Sequence, residues 1–203
     1  IKVDGKPFFL VYDTQSMPNP KHFFDLWNKL AVQNGFPGIH FVALATAWDS
    51  NMENQLAQGF NAVAHGSFWQ AQIKAGNWYW YAFMNKIRQK FDRVPLLKYK
   101  YGKIIKYLVN ENDKRDNIYP CLIPGWDRSP RSGRKAVIFY GSTPELWKKH
   151  VTEAVNAVKD KEDEHKIIIL RSWNEWGEGN YVEPDERWGN AYLDALKEVL
   201  FGK

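Results

Sequence analysis

Apolar residues fall into five short continuous runs along the chain, and each run is long enough to form a β-strand buried on both faces. Helical periodicity follows most of these runs, and alternation of strand and helix is typical of an α/β architecture with a parallel sheet. We therefore predict five mutually parallel strands, ordered in the sheet as in the sequence. The five runs are residues 8–12, 39–45, 59–64, 118–123 and 166–170.

Four segments carry apolar residues at helical spacing. We predict one helix that opens at Asn19-Pro20 and is stopped by Asn34-Gly35, and one across residues 102–109. A third starts within residues 142–145 and continues through Val158, and a fourth covers residues 188–200. A long aromatic and basic segment, residues 67–117, interrupts the alternation, with Trp-Tyr-Trp-Tyr at its centre. Such an insertion can be a binding loop, or its aromatic residues can form a small core of their own. We expect residues 1–203 to form a single domain that carries this insertion.

The composition excludes several classes of protein. No stretch of eighteen apolar residues occurs, so we predict no transmembrane segment. The chain begins at Ile1 without a signal peptide, which indicates a processing or cloning boundary, and we expect a cytoplasmic location. The lone cysteine, Cys121, cannot form an internal disulfide, and the five histidines lack ligand spacing. We predict no metal ion and no cofactor.

The net charge of +5 is concentrated in one segment, because residues 70–117 contain eleven Lys or Arg and four Asp or Glu. A basic surface can meet nucleic acid, an anionic membrane or a phosphorylated sugar donor. A solvated helical face explains the same charges more simply. We favour that face and predict no nucleic-acid partner.

The sequence Trp-Asn-Glu-Trp-Gly-Glu-Gly at residues 173–179 follows directly on the last apolar run. Loops that leave the carboxyl ends of parallel strands hold the active sites of α/β proteins, which makes Glu175 and Glu178 candidate catalytic residues. The neighbouring Trp173 and Trp176 have flat apolar faces that can stack on sugar rings. The alternative is a charged, solvated turn.

The chain resembles the WbsX-like proteins of bacterial polysaccharide gene clusters, often described as lipopolysaccharide-biosynthesis (O-antigen) glycosyltransferases. The segments that carry the resemblance are Val-Asp-Gly-Lys-Pro-Phe-Phe-Leu-Val-Tyr at 3–12, Pro-Gly-Trp-Asp-Arg-Ser-Pro-Arg at 124–131, Gly-Ser-Thr-Pro-Glu-Leu at 141–146, the 173–179 loop, and Glu-Pro-Asp at 183–185. That family is similar to glycoside hydrolase family 99, the endo-α-mannosidases. The resemblance implies a (β/α)8 barrel of the TIM type, in which Glu175 assists at the sugar 2-hydroxyl and Glu178 is the general acid/base.

A (β/α)8 barrel typically needs about 250 residues, and nothing here matches the N-terminal portion of the family's barrel. We therefore expect the C-terminal five β/α units of such a barrel. Strand edges left open at residues 8–12 and 167–170 should make the chain self-associate, or be completed by the missing N-terminal part.

Paired glutamates indicate a carbohydrate-active enzyme that acts on glycosidic bonds with retaining, hydrolase-like chemistry. One alternative is a glycosyltransferase that uses an activated sugar donor, and another is a non-catalytic carbohydrate-binding module. The expected partner is an oligosaccharide or an activated sugar. Further candidate substrate-binding residues are Asn174, Trp126 as a subsite wall, Asp127 and Arg131 as ligands of hydroxyls or phosphate (or as a mutual salt bridge), and Tyr12 and His65 at strand ends.

Overall fold

The computed structural model describes residues 1–45, 52–66, 68–76, 79, 82–84, 86–87 and 97–202. The chain divides into two compact units. The first contains Ile1–Gly66, Asn110–Pro120 and Ala157–Ile169, and the second contains Ser67–Val109, Cys121–Asn156 and Leu170–Lys203. The expectation of a single domain over residues 1–203 stays a prediction.

The described elements alternate between strand and helix for most of the chain. The strands are β1 (Lys2–Val3), β2 (Lys6–Val11), β3 (His40–Ala45), β4 (Ala62–His65), β5 (Leu97–Lys100), β6 (Ile118–Leu122), β7 (Trp126–Asp127), β8 (Val137–Tyr140), β9 (Ile169–Leu170), β10 (Asn174–Glu175) and β11 (Asn180–Tyr181). The α-helices are α1 (Pro20–Gln33), α2 (Met52–Ala57), α3 (Phe68–Ala75), α4 (Tyr101–Leu108), α5 (Ser129–Ser132), α6 (Pro144–Val158) and α7 (Ala191–Phe201).

The first unit is built on a sheet with the order β1-β2-β3-β4-β6-β9, and the last residues of β6 and β9 belong to the second unit. Strands β2, β3, β4 and β6 pair in parallel. The predicted order of the five strands is confirmed, as is the parallel pairing of the first four. The short β1 pairs antiparallel with Lys6 and Pro7 at the start of β2. Of the edge expected to be open at residues 8–12, the Phe8 amide donates to the Ile1 carbonyl at 3.2 Å.

Burial on both faces explains why β3 and β4 are continuous apolar runs, since every residue of both strands is buried. Helix α1 begins at Pro20, a residue type that is favoured at the first position of a helix. The preceding Asn19 caps it, because its side chain accepts a hydrogen bond from the His22 amide at 3.0 Å. It buries Phe24 and Ala31. One hydrophobic cluster in the core of this unit contains Phe24, Phe41, Ala43, Ala45, Met52, Phe60, Val63 and Ile118.

The second unit contains a small mixed sheet that the sequence did not predict, with the order β5-β8-β7. Strand β8 pairs in parallel with β5 and antiparallel with β7. Helix α4 confirms the helix predicted near residues 102–109. The described aromatic residues Phe68 and Tyr101 of the insertion are buried in this unit, whereas Trp78, Trp80 and Tyr81 lie outside the described residues.

Helix α6 supports the chain segment that leads to the candidate site. The Thr143 hydroxyl accepts a hydrogen bond from the Leu146 amide at 3.3 Å at the start of this helix. Its Trp147 is fully buried and donates from Nε1 to the Tyr192 carbonyl at 3.0 Å. Its buried His150 accepts a hydrogen bond from the Ile123 amide at 3.3 Å, and burial lowers the pKa of His150 to about 3.

The fold is mixed α/β, as the alternation of elements predicted. Among the described residues, no helix has both the length and the apolar character needed to cross a membrane. The same part of the chain contains no group of three or more His, Cys, Asp or Glu side chains arranged to hold a metal ion.

Candidate active site

The loop after β9 folds into a tight hairpin rather than an open turn. Strand β10 pairs antiparallel with β11, with Asn174 opposite Tyr181 and Glu175 opposite Asn180. A single turn of 3-10 helix, Trp176–Glu178, connects the two strands. Gly179 ends this turn in a left-handed conformation with φ of 54°, which glycine adopts without the steric cost that other residues carry. The hairpin thereby fixes the positions of both candidate glutamates.

Both glutamates contact one arginine from the preceding loop. Arg131 Nη2 lies 2.9 Å from Glu175 Oε1, and Arg131 Nη1 lies 3.4 Å from Glu178 Oε1. Arg128 Nε also approaches Glu178 Oε1, at 3.3 Å. The Glu178 side chain is 13% exposed and that of Glu175 is 37% exposed, so Glu178 is the more enclosed acid. We call these four residues the glutamate–arginine cluster.

The loop at residues 124–131 and the hairpin meet through their backbones. A Cβ atom on Gly125 would lie 2.7 Å from the Gly179 carbonyl oxygen, and one on Gly179 would lie 3.1 Å from Asp127 Cβ. A Cβ on Gly177 would meet the Arg131 guanidinium at 3.2 Å. Glycine at positions 125 and 179 therefore permits the close approach of the two backbones beside the contacts of Arg131 with the glutamates.

The sequence left open a mutual salt bridge between Asp127 and Arg131, and the structure does not contain it. Asp127 Oδ1 instead accepts a hydrogen bond from the Ser129 amide at 2.8 Å, which orders the start of helix α5. Arg131 pairs with the glutamates. The role of either residue in substrate binding stays a prediction.

Trp176 is a half-exposed aromatic platform held from two sides. Its ring stacks on Tyr181 with the centroids 3.8 Å apart and the planes at 21°. Its Nε1 donates a hydrogen bond to Glu183 Oε2 at 2.7 Å, while 48% of the residue remains exposed. Tyr181 donates in turn to Asp185 Oδ2 at 3.0 Å, and burial raises the pKa of Tyr181 to about 12, with the Asp185 carboxylate adding to the effect.

A pocket of about 1020 Å³ opens beside the hairpin within the second unit. We call it the aromatic pocket, because its walls carry Trp126, Tyr140, Trp176, Tyr181, Trp188 and Tyr192. Among the described residues, those in its walls that carry charge are Asp127, Asp185, Glu186 and Arg187. Of the described residues that line it, none belongs to the glutamate–arginine cluster.

The other predicted residues of this unit occupy different environments. Trp126 reaches the aromatic pocket but is only 6% exposed, since its ring packs edge-on against Phe68 and under the Arg171 guanidinium. Trp173 is 50% exposed, and its carbonyl accepts hydrogen bonds from two amides that close the hairpin. Asn174 is exposed on β10.

Tyr12 and His65 lie in the first unit, not in the unit that holds the glutamates. Tyr12 follows β2 and is 67% exposed. His65 ends β4 and is buried, and this burial lowers its pKa to about 4. A neutral, enclosed imidazole is typical of a histidine packed in a core. Their substrate-binding roles stay predictions.

Sequence reasoning missed Arg128, Tyr181 and Trp188 as members of the site. Arg128 lies inside the Pro-Gly-Trp-Asp-Arg-Ser-Pro-Arg segment that was already singled out, so its charge was the available signal. Tyr181 was detectable by its place two residues after Gly179, where a hairpin would return it toward Trp176. No local signal in the sequence distinguishes Trp188 from an ordinary residue preceding a helix.

The family model described as Glycosyltransferase WbsX matches residues 1–196. Two curated relatives, both named Uncharacterized protein WxcX, come from strains B100 and ATCC 33913 of Xanthomonas campestris pv. campestris. They are 23% and 25% identical to this chain over 98% of its length. The chain spans 28% of the length of each of them.

A solved structure named Glycoside hydrolase-like protein is similar in fold, with a TM-score of 0.63 and 19% identity. The match covers 98% of this chain and 55% of that protein. The likeness supports a mixed α/β fold that is consistent with part of a TIM-type barrel. The family description and the name of this structure both refer to carbohydrate-active enzymes.

Proposed function

The chain belongs to the WbsX glycosyltransferase family, and from that premise we propose that it carries the acid pair of a carbohydrate-active enzyme. Glu175 and Glu178 act on a glycosidic bond with retaining, hydrolase-like chemistry. In these roles Glu178 transfers the proton at the glycosidic oxygen, and Glu175 assists at the sugar 2-hydroxyl. We place the reaction in bacterial polysaccharide metabolism, of the lipopolysaccharide or O-antigen type.

The observation that carries this proposal is the shared contact of both glutamates with Arg131. Because one guanidinium bridges them, the two contacting carboxylate oxygens are no more than about 9 Å apart, which is below the upper limit of roughly 9.5 Å for glycosidase carboxyl pairs. Both residues also follow β9, the kind of position where α/β enzymes place their catalytic groups.

The two carboxylates differ in environment in a way that suits different roles. Glu178 is the more enclosed, and its contacts with Arg128 and Arg131 are long, at 3.3 and 3.4 Å. Glu175 is more exposed and makes the shorter contact, at 2.9 Å. The short contact holds Glu175 as an oriented hydrogen-bond acceptor, while the enclosed position of Glu178 suits a group that meets the glycosidic oxygen away from bulk water.

The arginines favour a second candidate function, that of a glycosyltransferase with an activated donor. Arg128 and Arg131 are 46% and 53% exposed in their side chains, and guanidinium groups bind phosphate in a bidentate manner. A sugar donor with a phosphate leaving group would then draw these arginines away from the glutamates. The description of the family as glycosyltransferases agrees with this candidate.

The test is to replace Glu175→Gln and Glu178→Gln in the full-length protein and to measure turnover of oligosaccharides and of nucleotide-activated sugars. Glutamine keeps the size of the side chain and removes its acid/base function. We expect turnover to fall at least ~100-fold in each variant, while sugar binding is largely retained. Turnover of an oligosaccharide in water identifies a hydrolase, and turnover only with an activated donor identifies a transferase.

The matched control is Glu162→Gln, because Glu162 is an exposed glutamate of the first unit, outside the hairpin. Its turnover should equal that of the parent. Near-normal turnover in both hairpin variants would contradict the catalytic role. A parent protein that binds sugar and never processes it would instead identify a non-catalytic binding module.

We further propose that the sheet of the first unit is part of a (β/α)8 barrel, of which this chain supplies five β/α units. The parallel order of β2, β3, β4 and β6 and the fold of the glycoside hydrolase-like protein support this. Completion by further residues, self-association and a cytoplasmic location stay predictions. Sedimentation of this chain alone and of the full-length protein would test the first two.

A further inference from the structure

We infer that the aromatic pocket is a second carbohydrate-binding site, which takes an uncharged stretch of glycan rather than the phosphate-bearing end of a donor. The inference rests on the proposed function for the class of ligand, because it assumes that the protein handles sugars. It concerns a different set of side chains from the glutamate–arginine cluster.

The walls of the aromatic pocket offer flat ring faces from separate elements. Trp176 and Tyr181 come from the hairpin, Tyr140 from β8, and Trp188 from the segment before α7. Aromatic side chains combine a large apolar face with few rotatable bonds, so they bind the apolar faces of pyranose rings at a low entropic cost. The stack on Tyr181 and the hydrogen bond to Glu183 fix Trp176 in place before any ligand binds.

Hydrogen bonds also fix the remaining walls. The Asp185 carboxylate accepts from the Tyr181 hydroxyl and from the Trp188 amide, so it ties two aromatic walls together. Ser142, which also lines the pocket, donates to the Pro124 carbonyl at 2.6 Å and lies 2.8 Å from the Tyr192 hydroxyl. A pocket with fixed walls is typical of a ligand site that exists before binding.

The charges of the aromatic pocket decide between a neutral and an anionic ligand. Of the described residues that line it, three are carboxylates, Asp127, Asp185 and Glu186, and one is a cation, Arg187. The Arg187 guanidinium lies 4.8 Å from the Trp188 ring centre and so is partly engaged already. A pyrophosphate would face net negative charge here, whereas neutral hydroxyl groups can donate to these carboxylates.

The size of the pocket points to more than one sugar ring. Its volume of about 1020 Å³ equals the upper end of ligand pockets, which run to roughly 1,000 Å³. The adjoining Gly179 belongs both to this wall and to the hairpin that carries the glutamates. A glycan held here is therefore bound beside the residues proposed to act on it.

The experiment is calorimetric titration of the full-length protein with linear neutral tetrasaccharides of glucose, mannose and galactose, and with uridine diphosphate glucose. Trp188→Ala and, as a milder change, Tyr140→Ala remove one ring each from the pocket. We expect each to weaken binding of the tetrasaccharide that the parent binds best, by about tenfold or more for Trp188→Ala. Binding of uridine diphosphate glucose should stay unchanged.

The matched control is Phe201→Ala, because Phe201 is 69% exposed in α7 and does not line the pocket. Thermal unfolding of each variant shows whether it is folded. If the Trp188→Ala protein does not fold, the Tyr140→Ala protein still tests the inference. Loss of uridine diphosphate glucose binding in the pocket variants would overturn the inference, as would unaltered tetrasaccharide binding. A parent that binds none of the tetrasaccharides at millimolar concentration would also overturn it.

The Glu175→Gln and Glu178→Gln proteins separate this inference from the proposed function. If the inference holds, both bind the tetrasaccharide as the parent does, whatever happens to turnover. Tetrasaccharide binding lost in these variants but kept in Trp188→Ala would place the glycan at the glutamates and overturn the inference, while the catalytic proposal would stand. Near-normal turnover in both glutamine variants would remove the catalytic proposal alone.

Discussion

Each unit of the molecule has its own cluster of ionisable side chains, and the two clusters differ in how their charges are compensated. In the first unit, the Tyr119 hydroxyl lies 3.0 Å from His40 Nε2, and Lys161 Nζ lies 5.6 Å from the Tyr119 ring centre. We call these three residues the tyrosine–lysine cluster. Burial lowers the pKa of Lys161 to about 8 and that of His40 to about 4.

The tyrosine–lysine cluster therefore excludes water and keeps His40 neutral, while Lys161 remains mostly charged near pH 7 because its pKa is about 8. The glutamate–arginine cluster instead pairs charges of both signs. All three members of the first cluster are at most 5% exposed. In the second cluster the arginine side chains are about half exposed, and a pocket lies beside the hairpin. Buried polar groups such as those of the tyrosine–lysine cluster maintain a fold. Solvent-accessible ion pairs such as those of the glutamate–arginine cluster can exchange their partners for a ligand.

The largest effect that we predict comes from acid, because the fold keeps three histidines buried and neutral. The pKa is lowered to about 4 for His40 and His65 and to about 3 for His150. Between pH 6.5 and 4 the unfolded chain binds more protons at these groups, so the free energy of unfolding falls as the pH falls, by up to about 3 kcal/mol for each histidine.

Asp113 opposes this trend, since burial raises its pKa to about 7. The stability that it contributes is present in acid and is lost as the pH rises through about 7. Asp113→Asn should therefore steepen the loss of stability between pH 6.5 and 4.5, measured as the midpoint of urea unfolding. A parent protein whose midpoint is constant over that interval would contradict the buried, neutral state of the histidines.

Arg131→Gln should reduce turnover of the full-length protein by roughly 10- to 100-fold, because it removes the bridge between the two glutamates. Arg131→Lys keeps the charge but not the planar fork, so it should restore turnover only in part. Stability should change little, since Arg131 is half exposed. The control is Arg134→Gln, a change at an exposed arginine of the same segment. Equal turnover in Arg131→Gln and Arg134→Gln would show that the bridge is unimportant.

Gly125→Ala tests the backbone contact that brings the loop and the hairpin together. Its Cβ would lie 2.7 Å from the Gly179 carbonyl oxygen, and we expect a loss of about 1–3 kcal/mol in stability together with reduced turnover. Gly133→Ala is the control, because Gly133 has a left-handed φ of 50° but nothing within 4 Å of an added Cβ. With ψ of −132° its backbone lies outside the left-handed helical region, so alanine should cost about 1–3 kcal/mol of stability and leave turnover unchanged. Reduced turnover in Gly133→Ala alone would contradict the contact.

The smallest effect should come from Tyr119→Phe in the tyrosine–lysine cluster. This change removes the hydroxyl that pairs with His40 and keeps the ring, so stability should fall by about 1 kcal/mol. Turnover should not change, because this cluster is closed to solvent. Chemical denaturation measures the change in stability, and initial rates measure the change in turnover. A tenfold loss of turnover at unchanged stability would contradict the view that the tyrosine–lysine cluster maintains the fold and the glutamate–arginine cluster acts on the ligand.

The strands of the first sheet were predictable because burial on both faces leaves a continuous apolar run, as in β3. The second sheet was not, since its strands lack such a run. Strand β5 reads Leu-Lys-Tyr-Lys, and β7 contains only Trp126 and Asp127. Their pairing through β8 depends on residues far away in the sequence, which local patterns do not encode.

Several residues of the candidate site were predictable from the sequence, but the contacts between them were not. Glu175 and Glu178 were detectable by their place after an apolar run, and Arg131 by its segment. The contact between Arg131 and Glu175 joins residues 44 positions apart. It depends on the close approach of Gly125 and Gly179, and a sequence shows such glycines without showing what they approach.

The most direct measurement compares leaving groups in the Glu178→Gln full-length protein. If Glu178 donates the proton to the departing oxygen, its loss should matter for an oligosaccharide and little for an aryl glycoside of the same sugar whose phenol leaves without protonation. We predict that kcat/KM falls at least ~100-fold on the oligosaccharide and less than ~10-fold on the aryl glycoside. Equal losses on the two substrates, or no loss on either, would contradict the assignment of Glu178 as the acid/base of this site.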